Sequence, residues 1–269
     1  MITNEQMPEQ FREIIDEQIC IYDEGRSVQV VNAIPDTSSI PIQNPKHWLK
    51  IPNVICVYVD MLGSTRLSAE MHDKSTAGAY QLFTGTAVRL FSVFQSPYID
   101  VRGDGVFALF DNDQPYTSLA AAITFKTFAK EVFVPRIKEK TGLLVGSHIG
   151  IDQKTVLVRK IGLKRYSSRT DRQNEVWAGK PVNMAAKLAS LTNDNELLAS
   201  DRYFSNLKDQ HALYSCGCPT GNKSYLWSAK DLSSDERFDF DTSYSLKSNW
   251  CGTHGREYCE AILTLDNTN

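Results

Sequence analysis

No apolar run in the 269 residues is long enough to cross a bilayer, and the first eighteen, Met1 to Gln18, are polar and acidic where a secretory leader would be basic and then apolar. These two absences argue against a membrane protein, and the expectation is a cytoplasmic chain. Blocks of like charge are missing too. The 29 Lys and Arg nearly balance the 32 Asp and Glu, for a formal net charge of -3. That removes the case for a general nucleic-acid binder or a membrane-surface protein, so an anionic substrate must be held by local groups. There is no internal repeat and no low-complexity tract. What remains is an ordinary globular composition, 42% hydrophobic and 23% charged, enough for one large domain or one domain with an appendage.

Six cysteines are present. In a reducing compartment they read as thiols or metal ligands before disulfides. Cys20 and Cys56 sit in apolar contexts and are expected in the core. Cys216, Cys218, Cys251 and Cys259 cluster near the C-terminus together with His254. Four thiols and an imidazole can hold a structural Zn²⁺, whose tetrahedral site accepts Cys₄ or Cys₃His, or they can form a reduced, merely buried set.

The stretch from Val54 to Asp60 is short, β-branched and apolar, and it ends in a carboxylate followed by the small polar turn Met61, Leu62, Gly63, Ser64, Thr65. It reads as a buried strand presenting an acid at its end, either a metal ligand or a solvated Asp. Before it, apolar residues at helical spacing predict an amphipathic helix from Asn4 to about Cys20, and the proline-bearing residues 21–53 read as a connector. After it, residues 64–96 predict two helical segments or one kinked helix. Tyr98–Val101 and Val106–Phe110, joined by Arg102, Gly103, Asp104 and Gly105, predict a β-hairpin with an acid at its tip. A long helix is expected over 116–140 with a kink at Pro135, then strands Leu144–Ile151 and Thr155–Ile161. The polar, basic stretch Gly162–Asn174, with Lys164, Arg165, Arg169 and Arg172, reads as a mobile flap or a dimerisation arm, its charges either solvated or in contact with phosphate. Val176–Pro181 leads into a helix, Val182–Leu191, with Asn183 and Lys187 on one face. Residues 231–249 read as a linker. Three regions are expected: 1–49, helix and connector; 50–230, the main domain; and 231–269, a Cys/His-containing tail. The fold class is α/β, an α+β sandwich with a mixed, mostly antiparallel sheet flanked by helices.

Asp60 on its strand, Asp104 on its hairpin, and a helix opening with Gly179, Val182, Asn183, Ala185 and Ala186 resemble, in order and spacing, the catalytic domain of class III nucleotide cyclases. The resemblance covers roughly residues 50–230. It implies a homodimer with two shared sites and two divalent cations per site, Mg²⁺ or Mn²⁺. Asp60, the carbonyl at Met61 or Leu62, and Asp104 would hold the metals, and the N–H groups of Gly63, Ser64 and Thr65 would hold the β- and γ-phosphates. Asn183 would orient the ribose. Lys187 stands where the family usually has the Arg that contacts the α-phosphate, and it lacks that bidentate fork. Arg102 or a basic residue of 164–172 could share the task.

Asp100 falls at the base-selecting position, four before the hairpin acid. An ionised carboxylate only accepts hydrogen bonds, so it suits the N–H of guanine or uracil rather than adenine. The second base-reading position is Val176, beside Glu175. Tyr58 and Trp177 either belong to the sheet core or narrow the pocket toward a smaller base. Together with the C-terminal Cys/His residues, these departures look like the bacterial pyrimidine cyclases of Pycsar antiphage defence. That resemblance implies UTP as substrate and cyclic UMP as a messenger to an effector protein. The alternatives are cytidylate cyclase, a purine cyclase, or a degenerate nucleotide-binding domain. Palm-like domains, including diguanylate cyclases, share two carboxylates on a strand and a hairpin, but they do not account for Asn183, and Arg102–Gly105 does not match the diguanylate hairpin.

Overall fold

The computed structural model describes residues 3, 6–162 and 173–266. The chain divides into two compact units, Met1–Ile51 with Leu157–Ala178, and Pro52–Val156 with Gly179–Asn269. The strands are β1 (Ser27–Val30), β2 (His47–Leu62), β3 (Tyr98–Arg102), β4 (Gly105–Phe110), β5 (Gly146–Gly162), β6 (Gln173–Gly179), β7 (Glu196–Ser200), β8 (Trp227–Asp231) and β9 (Thr242–Leu246). The α-helices are α1 (Glu9–Asp23), α2 (Ser64–Glu70), α3 (Asp73–Val93), α4 (Pro115–Phe128), α5 (Val134–Thr141), α6 (Lys180–Ser190), α7 (Asp201–Phe204), α8 (Gln210–Leu213) and α9 (Gly255–Leu265).

In the first unit, β1 pairs in parallel with the start of β2, Ser27 opposite His47 through Val30 opposite Lys50. Helix α1 forms where the spacing predicts it, yet buries none of its residues; Phe11, Ile14 and Ile19 stand exposed, and so does Cys20, which corrects the expectation that this thiol lies in the core. Arg159 is tied down by the carbonyls of Pro45 and Ile42 and lies over the Trp48 ring.

The second unit carries the sheet order β3-β4-β2-β5-β7-β9-β8. Pairing is antiparallel for β3/β4, β4/β2, β7/β9 and β9/β8, and parallel for β5/β7. One face of this sheet, with Val57, Val59, Val106, Ala108, Ile149, Ile151, Leu197 and Ala199, forms the main core. Helices α3 and α4 cover it. Ala79, Phe83, Ala87 and Phe91 recur every four residues, which puts them on one helical stripe, and Phe83 meets Phe125 edge to face at 5.0 Å. Strand period two sends the alternate residues to the opposite face. There α6 lies against β5 and β7: Met184 and Leu188 pack on Leu198, Leu232 and Phe240. At Gly150 the backbone approach is so close that an added Cβ would lie 2.0 Å from the Ala185 carbonyl oxygen.

Three readings of the sequence are corrected here. The 144–151 and 155–161 strands are one strand, β5, because two polar residues between them, Asp152 and Gln153, are buried and partnered rather than turned to solvent. Asp152 is fully buried and receives two bonds from Arg202, at 2.7 and 2.5 Å, and Gln153 bonds the Asn53 carbonyl, Asn112 and Asn206. Residues 231–249 are not a linker but supply β9, with Leu232 and Phe240 buried beside it. The expected kink at Pro135 takes the form of a π-helical turn, Ala129–Phe133, just before it, which accommodates the missing proline N–H. The basic stretch with Lys164, Arg165, Arg169 and Arg172 lies outside the described residues.

Candidate active site

Register decides what the open half of the sheet presents. Tyr58 pairs with Phe107 and Val59 with Val106, so Asp60 falls across from Gly105; on the other side, Asp100 pairs with Phe107 and Arg102 with Gly105. Asp60, Gly105 and Arg102 therefore form one cross-strand row, with Tyr58, Phe107 and Asp100 in the next, all on the face away from the main core. The hairpin turn is the two-residue Gly103–Asp104, and Gly103 adopts φ 67°, the left-handed conformation that a tight primed turn requires at its first position. This sets Asp104 beside Asp60. Gly105 has no room for a side chain, because a Cβ there would lie 2.3 Å from the Tyr58 hydroxyl and 3.0 Å from Asp60 Oδ1.

Asp60 is half-buried, and its carboxyl is pushed up to about 6, first by burial, then by the charge of Asp104, against a lowering bond from the Met61 N–H. The Tyr58 phenol is pushed up to about 12, chiefly by burial and then by the same two acids. Two adjacent carboxyl groups with no cation beside Asp60 among the causes of its shift make a hard-oxygen site short of positive charge, which fits Mg²⁺ or Mn²⁺. Met61 is buried at the end of β2, and Gly63, with φ 85°, begins α2. The first bond within α2 is Leu67 N–H to the Gly63 carbonyl at 3.0 Å, so the N–H groups of Ser64 and Thr65 precede it and remain outside the helix ladder.

Asp100 and Arg102 form an ion pair at 2.6 Å, so the candidate base reader and a candidate phosphate contact hold each other. Asn183 is exposed on α6, and Lys187, one turn on, donates to the Arg237 carbonyl at 2.9 Å. Among the described residues no hydrogen bond or ion pair links Asn183 or Lys187 to the Asp60–Asp104 pair. In the first unit, Trp177 is buried and Glu175 pairs with Lys160 at 3.7 Å. Sequence reasoning did not find the close approach at Gly105, although a glycine after the turn acid was its signal. It also had no signal for the carbonyl partner of Lys187, 50 residues away.

Of the five C-terminal candidates, the structure gathers four. The ligand atoms of Cys216, Cys218, Cys251 and His254 all lie within 4.8 Å of one another. Cys259 stands apart, partly buried against the core from α9. Cys251 accepts backbone bonds from His254 and Thr253, which hold its thiol low, at about 6.

The sheet, its flanking helices and the paired acids define the class: this is the catalytic-domain fold of class III nucleotide cyclases. The adenylyl cyclase CyaB of P. aeruginosa superposes with a TM-score of 0.57 over 74% of this chain and 94% of its own, at 15% identity. The guanylyl cyclase Cya2 does so with 0.57 over 73% and 92%, at 16% identity. No family model matches the sequence. It is 37% identical over 230 residues to a uridylate cyclase of Propioniciclava tarda, covering 83% of this chain and 73% of that protein. A uridylate cyclase of Micromonospora echinofusca is 35% identical over 233 residues, 85% and 74% of the two chains. The chain belongs to the uridylate cyclase family. Among the described residues no helix is long and apolar enough to cross a membrane.

Proposed function

We propose that the protein cyclises UTP to 3′,5′-cyclic UMP and pyrophosphate. The observation that carries this is the pairing of Asp60 with Asp104 on the open half of the sheet, in a chain whose relatives at 35–37% identity are uridylate cyclases. Asp60, the Met61 carbonyl and Asp104 would hold the divalent cations, Mg²⁺ or Mn²⁺. When bound, such ions acidify the ribose 3′-hydroxyl and neutralise the leaving pyrophosphate. The N–H groups of Gly63, Ser64 and Thr65, with the backbone about Leu62, cradle the β- and γ-phosphates. Asp100 accepts the uracil N3–H. Its Arg102 partner either stays paired with this carboxylate or swings toward phosphate.

Asn183 orients the ribose, and Lys187 brings a point charge to the α-phosphate once it leaves the Arg237 carbonyl. Both stand on α6, and among the described residues neither bonds the paired acids; the cyclase family's dimeric catalytic arrangement supports a homodimer in which each site joins the acids of one protomer to the α6 of its partner. The resemblance to Pycsar cyclases supports a cytoplasmic role in antiphage defence, with cyclic UMP switching on a separate effector protein.

The test is to incubate the purified protein separately with ATP, GTP, CTP and UTP plus Mn²⁺ or Mg²⁺ and identify products by mass. Cyclic UMP from UTP is expected. Absence of any cyclic nucleotide would overturn the enzymatic reading, and a product from ATP alone would overturn the role of Asp100.

A further inference from the structure

The Cys216–His254 cluster lies outside the cyclase chemistry, and its geometry is that of a closed site. Cys216 and Cys218 flank Gly217 in a tight knuckle. Gly217 takes φ 88°, its carbonyl accepts from the Gly221 N–H at 2.7 Å, and a Cβ there would lie 2.7 Å from the Gly221 backbone. Only glycine fits, and the turn it makes brings both thiols to the same spot. The other two ligands come from the turn that starts α9. There the Cys251 carbonyl accepts from the Gly255 N–H at 2.7 Å, the Cys251 sulfur receives backbone bonds from His254 and Thr253, and His254 Nδ1 sits 3.1 Å from Cys218 Sγ.

A tetrahedral zinc with Zn–S of about 2.3 Å and Zn–N of about 2.0–2.1 Å requires ligand atoms roughly 3.5–3.8 Å apart. Four ligand atoms already within 4.8 Å of one another need only small adjustments to reach it, the widest pairs closing and the 3.1 Å pair of Cys218 and His254 opening slightly. A soft, three-sulfur, one-nitrogen set selects Zn²⁺ over the hard ions suited to Asp60 and Asp104.

We propose that Cys216, Cys218, Cys251 and His254 bind one structural Zn²⁺ that staples the 216–221 knuckle to the start of the C-terminal helix. All three cysteines bind as thiolates, those still protonated giving their protons to solvent, with His254 coordinating as neutral imidazole through Nδ1, and all four positions are filled by protein, leaving none for substrate. The staple completes a clamp. At the other end of α9, Asp266 accepts from the N–H groups of Tyr116 and Thr117 at the start of α4, at 3.1 and 2.6 Å. Between these ends Ile262 is fully buried in the main core. The zinc thus fixes a helix that the core depends on, independently of which nucleotide the enzyme uses.

The test measures zinc in protein purified without added metal, together with cobalt substitution. About one zinc per chain is expected, with visible d–d bands of a tetrahedral thiolate site when Co²⁺ replaces it. Cys259→Ser should keep the metal. Cys216→Ser and Cys251→Ser should lose most of it. Should those variants fail to fold, the wild-type protein decides: a strong chelator should expose three additional reactive thiols and lower the melting temperature by several degrees, and Zn²⁺ should restore both. Metal-free wild-type protein, a thiol count two short through a disulfide, or zinc retained in Cys251→Ser would each overturn the proposal.

Discussion

Asp60 makes a prediction in which function and stability move in opposite directions. Its carboxyl, normally near 3.8, stands at about 6 because it is half-buried beside Asp104. Well below pH 3.8, it is protonated in both folded and unfolded chains and carries no penalty. As pH rises toward 6 the unfolded chain has already released its proton while the folded chain still holds it, so this site's share of stability declines, and above 6 it stays low. A carboxyl moved from 3.8 to about 6 has a ceiling of roughly 3 kcal/mol at 1.36 kcal/mol per pKa step. The site faces solvent on one side, and screening reduces this to about 1–1.5 kcal/mol. Asp60→Asn removes the charge while keeping the shape, so the metal-free variant should melt about 2–6 °C above wild type at pH 7.5. The two should converge below about pH 3. Mn²⁺ should raise the melting temperature of wild type at pH 7.5 and leave the variant unmoved, and the variant should have no measurable cyclase turnover. Scanning calorimetry at both pH values, with and without Mn²⁺, checks this. A variant that melts below wild type at pH 7.5 would refute the electrostatic reasoning and make Asp60 a structural residue.

Gly105→Ala should cut turnover at least tenfold with an unchanged circular dichroism spectrum, since the new methyl group displaces Tyr58 and Asp60 rather than backbone; unchanged kinetics would mean that their positions are not critical. Gly150→Ala meets backbone that cannot yield, so it should lower the melting temperature by many degrees and reduce activity through misplacement of α6, read by thermal melting and product formation. Lys126, fully buried, donates to the carbonyls of Lys247 and Ser248 at 2.8 Å and to Asn249 Oδ1 at 3.0 Å; Lys126→Met removes the donor these three acceptors share and should cost about 2–4 kcal/mol in urea unfolding. Arg202→Met strands the buried Asp152 carboxylate and should cost about 3–5 kcal/mol, much of it recovered by a second change, Asp152→Asn.

The legible parts of the sequence were those whose signal is local. The hairpin came from a glycine-flanked turn between two apolar runs, and its strands appear as read. The break at Gly63 between strand and helix followed from the small, polar turn, and α3 from its four-residue apolar spacing. Polar residues misled wherever a distant partner buried them. Asp152 and Gln153 fell outside the two expected strands because their donors, Arg202 and Asn206, lie 50 or so residues later in the chain. Residues 231–249 looked like a linker because β9 is stabilised by β7 and β8 rather than by its own pattern. Cys20 looked like core because its helix is amphipathic, yet that face is uncovered in this chain.

The sequence by itself determined the identity of the acids, the order of the elements that carry them and the family to which the chain belongs, because residue type and local period are written in consecutive positions. Only the tertiary structure decided which residues meet. Cross-strand register set Asp60 against Gly105 and paired Asp100 with Arg102, and chain closure over some 35 residues brought Cys216 and Cys218 to Cys251 and His254 while leaving Cys259 in the core. Such contacts depend on distances between remote segments, and no local propensity encodes them.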